Sequence, residues 1–427
     1  MTSARNAGAA AFALAAIALG AGLLGVSVSV RQAALFLVGA AAGVVLYHAA
    51  FGFTSSWRAL LTEGRGQGLR AQLLMLALTC AAFFPLLAAG SAFGQPLRGS
   101  ISPAGVSVVA GAFLFGVGMQ LGGGCASGTL YSAGGGNTRM FVTLASFIAG
   151  AVLALRHGAW WASLPAFKPT SIGVVFGPAF GLLLSLAALG AIAAVSVLIE
   201  RRLNRTQSDA IGAEQELKAP ATSEPAPRSI GGRLVAGPWP LFAGAIGLAL
   251  VNVATLLLAG RPWGVVGAFA LWGSKALAAI GVPVAGWPYW SASPARLADL
   301  RGSLAADVTS VMDFGLMLGA LAAAALAGRF APQWKVPARS LLAAIAGGLL
   351  LGYGARIAYG CNIGALFSGI ASGSLHGWVW FAAALAGNAL GARLRPAFGL
   401  TGVPSGPQEI DAGPPPPLQT MPRPRLP

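Results

Sequence analysis

Long apolar runs are the feature of this sequence that most restricts its fold. Ten of them approach the length of about 20 residues that a helix needs to cross a bilayer. They are Ala9–Val28, Ala33–Ala50, Ala71–Ala89, Val106–Leu121, Met140–Leu155, Gly173–Ile199, Leu241–Leu258, Val311–Leu326, Leu341–Tyr353 and Trp378–Gly391. Charged residues make up only 9% of the 427 residues, too few to cover a soluble enzyme of this length. The runs therefore predict an all-α polytopic membrane protein with about ten transmembrane helices.

Three shorter apolar stretches lie between these runs and are interrupted by glycine. They are Cys125–Ser132, Trp263–Ala279 and Cys361–Ile370. Because glycine-rich breaks are typical of discontinuous membrane helices, we expect short re-entrant half-helices here. The chain contains 61 glycines, which suits both broken helices and closely packed ones.

A polar segment divides the chain into two membrane halves. Residues 1–200 form the N-terminal half, in which 9–28 is an additional helix, and residues 238–395 form the C-terminal half. Residues 201–237 have the composition of a cytoplasmic linker, and residues 396–427 that of a disordered cytoplasmic tail. The first run is longer than the about 7–15 apolar residues of a signal peptide, so we expect it to be a retained helix.

Basic residues flank the runs unevenly. If the linker is cytoplasmic, the larger share of Lys and Arg falls on the linker side, as the positive-inside rule requires. This distribution predicts a multi-pass protein of the bacterial inner membrane with both termini in the cytoplasm. The net charge of +16 then reflects membrane topology, and nucleic-acid binding is not expected.

The segment around Cys125 is repeated around Cys361, 236 positions later (361 − 125). The positions that are identical in register are Gly111, Leu114, Gly116, Gly118, Gly124, Cys125, Gly128, Leu130 and Ser132. With the linker inside, the two copies cross the membrane in opposite directions. This predicts two inverted, pseudo-symmetric halves, the arrangement in which secondary transporters build a site near the midplane.

In each copy a glycine-rich break precedes a short apolar segment that begins at the cysteine. Free backbone N–H groups and the helix dipole at such a start favour an anion. The residues predicted to line a substrate pathway are Cys125, Cys361, Gly124, Gly360, Ala126, Asn362 and Arg356. For either copy alone, close helix packing around an inert buried cysteine is the better interpretation. The paired, inverted occurrence favours a functional site.

Two charged residues and the histidines complete the candidates. Arg356 either attracts the anion or extends to a membrane interface. Asp313 is a candidate for coupling transport to a cation, and its alternative is an ordinary interfacial residue. The histidines and cysteines show no metal-ligand spacing, so neither a metal nor a cofactor is expected.

At these motifs the sequence resembles the YeeE/YedE family of sulfur-compound transport membrane proteins. The similarity rests on GxGxxLGGGCxSGTLYxxG around Cys125 and GxGARxAYGCNIGxLFSG around Cys361, with a further similarity over Pro262–Gly273. The resemblance implies uptake of thiosulfate or a related sulfur-containing ion, with cysteine thiols passing the ion along by S–H hydrogen bonds. Some family members carry a further cysteine where this chain has Gly52, and Cys80 does not match that position. Either the substrate differs, or that step is dispensable.

The alternative function is that of a membrane sulfurtransferase that forms a persulfide on Cys125 or Cys361. Such chemistry needs a cationic or histidine neighbour to activate the thiolate. Only Arg356 approaches that role in sequence. For a transporter, the expected partners are the sulfur-containing anion, the lipid bilayer and a cytoplasmic sulfur-carrier protein.

Overall fold

The computed structural model describes residues 2–211, 230–332 and 334–400. The first half contains α1 (Thr2–Ser27), α2 (Val30–His48), α3 (Phe53–Glu63), α4 (Gln67–Ala89), α5 (Val106–Gly122), α6 (Ala126–Gly134), α7 (Thr138–Ala162), α8 (Ile172–Phe176) and α9 (Pro178–Ile211). The second half contains α10 (Ile230–Ala236), α11 (Leu241–Ala259), α12 (Val266–Ala279), α13 (Pro288–Ser291), α14 (Pro294–Arg301), α15 (Val308–Leu326), α16 (Ala338–Ile357), a π-helix (Asn362–Phe367), α17 (Ser368–Ala371) and α18 (Leu375–Leu394). The predicted all-α architecture is confirmed.

Strand structure in the described ranges is limited to connections between helices. The strand β1 (Ser91–Ala92) pairs antiparallel with β2 (Gln95–Pro96), and β3 (Ala104–Gly105) pairs antiparallel with β4 (Ala166–Phe167). Short 3₁₀ turns cover Val284–Gly286 and Arg395–Phe398. These elements provide hydrogen bonds for the backbone of the loops and do not form a sheet layer.

Nine helical segments of the described chain are long and apolar enough to cross a membrane, which makes this a multi-pass membrane protein. Three of the nine, Val30–Glu63, Val106–Gly134 and Ala338–Ala371, join a long helix to the short helix that follows it. The tenth predicted run lies in α18, whose 20 residues would extend about 30 Å. Polar residues such as His376 and Asn388 lower the mean hydropathy of α18, so it is not one of the nine.

Short helices occur at all three glycine-interrupted stretches. These are α6, α12 and the π-helix with α17, and the first and last of them begin directly after Cys125 and Cys361. A fourth short helix, α3, begins after Gly52 and was not predicted. In each half, two of the long helices are therefore each followed by a short helix.

The two halves pack against each other reciprocally. The contact between α5 and α18 has its counterpart between α16 and α7, and that between α2 and α15 has its counterpart between α11 and α4. The short helices follow the same rule, because α3 packs on α18 as α12 packs on α7, and α6 packs on α15 as α17 packs on α4. Such paired contacts are those of a pseudo-twofold repeat whose halves interlock.

The central contact joins the equivalent helices α5 and α16. A Cβ built on Gly118 would lie 2.8 Å from the carbonyl oxygen of Gly347, and a Cβ on Gly354 would press on the carbonyl of Gly111. The earlier residue of α5 therefore contacts the later residue of α16, and the later residue of α5 contacts the earlier one of α16. The two helices run antiparallel. Equivalent helices that run antiparallel are related as in an inverted repeat.

Matched glycines also permit the outer contacts. A Cβ on Gly116 would lie 2.7 Å from the Asn388 nitrogen of α18, and one on Gly352 would lie 2.5 Å from the Ala151 nitrogen of α7. Real Cβ atoms do not approach backbone so closely. For these helical glycines the role is therefore close packing, as small residues provide in membrane bundles.

The polar linker and the tail are only partly described. The helix α9 continues to Ile211 and α10 covers Ile230–Ala236, so helical structure extends into both ends of the predicted linker. Residues 212–229 and 401–427 lie outside the described residues. The cytoplasmic location of the linker and the tail stays a prediction.

Candidate functional site

Cys125 occupies the break between α5 and α6. The helix α5 ends at Gly122, and Gly123 takes up a left-handed φ of 89° that glycine adopts at little cost. Cys125 is extended, with φ −81° and ψ −170°, and its Sγ accepts a hydrogen bond from the Gly128 N–H at 3.3 Å. The sulfur thus caps α6, and its own proton points either to Ser127 Oγ, 3.5 Å away, or into the site.

Cys361 occupies the matching break, but its local structure differs. Tyr359 has a φ of 60°, which is strained for a residue with a side chain. The backbone of Cys361 is extended, with φ −108° and ψ −166°, and its side chain makes no capping hydrogen bond. The helix that follows is a π-helix, a form that is frequent at functional sites.

The glycines that precede the two cysteines have equivalent surroundings. A Cβ on Gly124 would lie 3.2 Å from the backbone nitrogen of Thr129, and one on Gly360 would lie 2.6 Å from that of Ala365. Gly360 also has a φ of 155°. Each glycine therefore lets the chain fold back tightly onto its own short helix, which places the cysteine at the helix start.

The two cysteines come together in the fold. The helix α6 contacts the π-helix, and each of these helices begins directly after one of the two cysteines. They are 2% and 1% exposed, and both are free thiols. The structure therefore brings the two matched positions into one buried region.

Several buried polar atoms in this region have no hydrogen-bond partner among the residues that the structure describes. Asn362, directly after Cys361, is fully buried with both amide atoms unpaired, and the indole Nε1 of Trp263 is unpaired as well. Trp263 is held beside α17, because its N–H donates to Asn252 Oδ1 at 2.9 Å and its carbonyl accepts from Ser368 Oγ at 2.7 Å. Buried polar groups are almost always satisfied, so these atoms mark a place where a polar ligand would be accommodated.

An aromatic wall surrounds the cysteine region. Trp380 donates its indole N–H to the Gly360 carbonyl at 3.2 Å and contacts Phe115, ring centroids 5.4 Å apart. Phe115 in turn packs on Phe147, which contacts Phe269 with centroids 4.9 Å apart. Large buried rings exclude water, so any polar contact made inside them gains strength from the low dielectric.

Asp313 lies inside the protein rather than at an interface. It is fully buried on α15, which packs against α6, the short helix that begins after Cys125. Neither of its carboxyl oxygens has a partner among the described residues. Of the two interpretations offered by the sequence, the geometry disfavours the interfacial one.

Arg356 packs on an aromatic ring of another helix. Its Cζ lies 4.2 Å from the ring centroid of Tyr289, on which Arg296 also packs at 4.4 Å. Cation–π contacts of this kind occur where a long basic side chain reaches an aromatic belt. The geometry favours the interfacial interpretation of Arg356 over direct contact with an anion between the cysteines.

Cys80 and Gly52 lie in the surrounding helices. Cys80, on α4, is buried and its thiol donates to the Ile370 carbonyl of α17 at 3.7 Å. Gly52 caps the start of α3, and its carbonyl accepts from Gln72 Nε2 at 3.4 Å. The Cys80 thiol is therefore occupied by a helix–helix contact.

Arg139 is a residue whose position was not anticipated. Its guanidinium is buried and donates to the carbonyls of Leu121 at 2.6 Å, Gly122 at 2.7 Å and Ser340 at 3.2 Å. Arg395 donates to the neighbouring Gln120 carbonyl at 3.1 Å. The two guanidinium groups therefore donate hydrogen bonds to the last carbonyl groups of α5, immediately before the break at Cys125. An arginine three residues after a glycine run was the only sequence signal.

Replacing Arg139 by Gln is expected to destabilise the protein. Each charge-assisted hydrogen bond contributes about 1.5–3 kcal/mol, and the substitution leaves buried carbonyls at the end of α5 unsatisfied. Thermal unfolding of the detergent-solubilised protein should show a clearly lower midpoint. The control is Arg156→Gln on the same helix, which removes an exposed side chain; equal midpoints for the two variants would contradict the assigned role.

A metal centre finds no support in the geometry. Within residues 2–211, 230–332 and 334–400, no three His, Cys, Asp or Glu side chains are grouped so that they could hold a metal ion.

Comparison with known proteins places most of the chain, with both cysteine motifs, in one family. The chain is 32% identical over 162 residues to "Probable transporter YedE" of Salmonella typhimurium, and equally to that of Escherichia coli, with 38% of this chain and 39% of each relative covered. The chain thus spans well under half the length of those two relatives. It is 28% identical over 364 residues to "Thiosulfate transporter TsuA" of Spirochaeta thermophila, covering 80% of this chain and 92% of that protein. These relatives are named as transporters, in agreement with the expectation of a protein that is not an enzyme. Residues 48–390, which include both cysteine breaks and the short helices α3, α6, α12 and α17, match the Sulphur transport family, and the chain belongs to this family.

Proposed function

We propose that the protein takes up thiosulfate, or a closely related small sulfur-containing anion, across the bacterial inner membrane. The anion would pass between Cys125 and Cys361. The observation that carries the proposal is the pair of buried thiols at the starts of two pseudo-symmetric short helices, next to the unpaired amide of Asn362. The names of the relatives support the substrate class.

The surroundings of the site suit an anion that carries both oxygen and sulfur. The first turn of α6 and the Asn362 amide offer N–H donors for oxygen, while the thiols offer soft S–H donors for sulfur. A thiolate would repel a dianion, so both cysteines act as protonated donors. Gly124 and Gly360 let the chain turn tightly onto the short helices, and with Ala126 at the start of α6 they keep the anion path free of bulky side chains.

The proposed topology, with the linker and both termini in the cytoplasm, identifies the outer side of the protein. The outer ends of α7 and α16 then carry Arg156 and Arg356, whose guanidinium carbons lie 5.7 Å from the Trp287 ring and 4.2 Å from the Tyr289 ring. Arg356 would act at the outer mouth, where it raises the local concentration of anions.

Uptake of a dianion needs a driving force. An inside-negative potential opposes it by about 4.6 kcal/mol per 100 mV, since each charge contributes about 2.3. Two processes would offset this cost. One is removal of the anion inside the cell, for example by a cytoplasmic sulfur-carrier protein, and the other is coupling to a cation.

The test is uptake of labelled thiosulfate by cells that lack other sulfate and thiosulfate importers. We expect cells with the protein to accumulate label well above the empty-vector background, and unlabelled thiosulfate to compete. No uptake above background would overturn the assignment. Mass spectrometry of the purified protein after treatment with a sulfur donor separates the alternative, because a sulfurtransferase would carry a stoichiometric persulfide and a transporter would not.

A further inference from the structure

Asp313 is a buried carboxyl group without a structural role in its own helix. The N-terminus of α15 is capped by another residue, Asp307, whose Oδ2 accepts from the N–H and the hydroxyl of Ser310, both at 2.7 Å. Asp313 lies further along the helix, is 0% exposed, and has both oxygens unpaired. A carboxylate in such surroundings needs a partner that the described residues do not supply.

The position of Asp313 connects it to the cysteine site. The helix α15 packs on α6, the short helix that Cys125 caps. One turn beyond Asp313, the Met317 carbonyl lies against Gly134 at the end of α6. Because α6 also contacts the π-helix that begins after Cys361, a charge on Asp313 would act on an anion held between the cysteines.

No cation among the described residues around α15 bonds to the Asp313 carboxyl group. Arg261, in the connection between α11 and α12, donates to Thr309 Oγ1 of α15 at 3.1 Å. The helices α1, α2, α6, α10 and α12 pack against α15. Lys275 of α12 donates to the carbonyls of Leu300 and Gly302, away from Asp313. The other titratable and charged groups lie on α2, on α6 and its capping residue, and at the caps of the π-helix and of α15. They are Arg31, Tyr47, His48, Cys125, Tyr131, Cys361 and Asp307. Arg31 bonds to Gln95 at 3.2 Å, and the side chains of Arg5 on α1 and Arg233 on α10 lie outside the described residues.

We propose that Asp313 binds and releases the proton that accompanies each anion through the protein. This inference rests on the proposed function. An ionised Asp313 would repel the anion, whereas the neutral acid tolerates it, so anion binding and proton binding favour each other. From the outer side, the carboxylate accepts one proton as the anion binds. On the inner side the O–H bond breaks, the proton leaves to water, and the anion follows.

One proton per anion has a measurable consequence. Purified protein in lipid vesicles with an enclosed pH-sensitive dye should acidify the lumen when thiosulfate is added, by one proton for each thiosulfate taken up. Uptake by the parent should rise as the external pH is lowered. In Asp313→Asn we expect proton movement to fall at least about tenfold and the pH dependence to vanish, since the coupling is removed. Exchange of labelled for unlabelled thiosulfate, which needs no net proton movement, should persist.

The matched control is Asp299→Asn, an exposed carboxyl in α14 that should behave as the parent. Asp313→Glu keeps the acid group and should retain proton movement, which also serves as the test if the Asn variant is poorly folded. Acidification by Asp313→Asn at the parent rate would overturn the inference, as would loss of exchange in a variant with an unchanged unfolding midpoint. Thiosulfate uptake by the parent without protons would overturn the coupling alone, whereas no uptake by the parent would overturn the proposed function.

Discussion

Replacement of Cys361 by alanine should reduce thiosulfate uptake by about 10- to 100-fold, because a hydrogen bond to a charged group is worth about 1.5–3 kcal/mol. Among the described residues the Cys361 sulfur meets no criterion for a capping hydrogen bond, and its S–H proton can be donated to an anion. The measurement is the initial rate of labelled thiosulfate uptake at equal amounts of membrane-inserted protein.

Cys125→Ala should show a similar loss of uptake and, in addition, a lower unfolding midpoint. Its Sγ accepts the Gly128 N–H, and loss of a helix cap costs about 1 kcal/mol. The two variants therefore separate the transport role that both thiols share from the structural role of one. Serine at either position keeps a donor of similar shape, so parent-like uptake by the serine variants would show that sulfur itself is not needed.

The control for both variants is Cys80→Ala. Cys80 is as deeply buried, but its thiol bonds to the Ile370 carbonyl at 3.7 Å, and its position has no counterpart in the repeat. We expect uptake within about twofold of the parent, since a weak neutral hydrogen bond contributes little net free energy. If Cys80→Ala and Cys361→Ala lose uptake equally, the thiols act through packing and the proposed contact with the anion is wrong.

The sequence predicted the parts of the fold that leave a periodic or repeated pattern. The apolar runs located the long helices, and the matched cysteines located α6 and the π-helix. The register of the repeat also paired Gly116 with Gly352, which occupy equivalent contacts. These features are local or repeated, and each leaves its own trace in the order of residues.

Features that depend on distant contacts were missed or left open. The helix α3 has the polar composition of a loop, and burial of Phe53, Trp57 and Leu60 against other helices stabilises it. The direction of Arg356 is set by Tyr289, in a connection far along the chain. One copy of the motif continues as an α-helix and the other as a π-helix. The two motifs match so closely that this difference could not be predicted from them.

The interlocked halves make the helix-crossing glycines the most sensitive positions for stability. Gly352→Ala adds a single methyl group, which would meet the Ala151 nitrogen at 2.5 Å and the Phe147 carbonyl. Backbone atoms cannot turn aside as a side chain can, so α16 and α7 must separate. Overpacking of this kind costs about 1–3 kcal/mol or more. Gly116→Ala should have the same effect, because its Cβ would lie 2.7 Å from the Asn388 nitrogen.

The control for these two variants is Gly190→Ala in α9, where an added Cβ would have nothing within 4 Å. Alanine is the better helix former by about 1 kcal/mol, so this substitution should leave the unfolding midpoint unchanged or raise it. The same chemical change is therefore expected to act in opposite directions at crossing and non-crossing positions. Thermal unfolding in detergent measures all three variants. If Gly116→Ala and Gly352→Ala unfold at the parent temperature, the helices are not in the close contact described, and the glycines of the repeat would then require a role in the pathway itself.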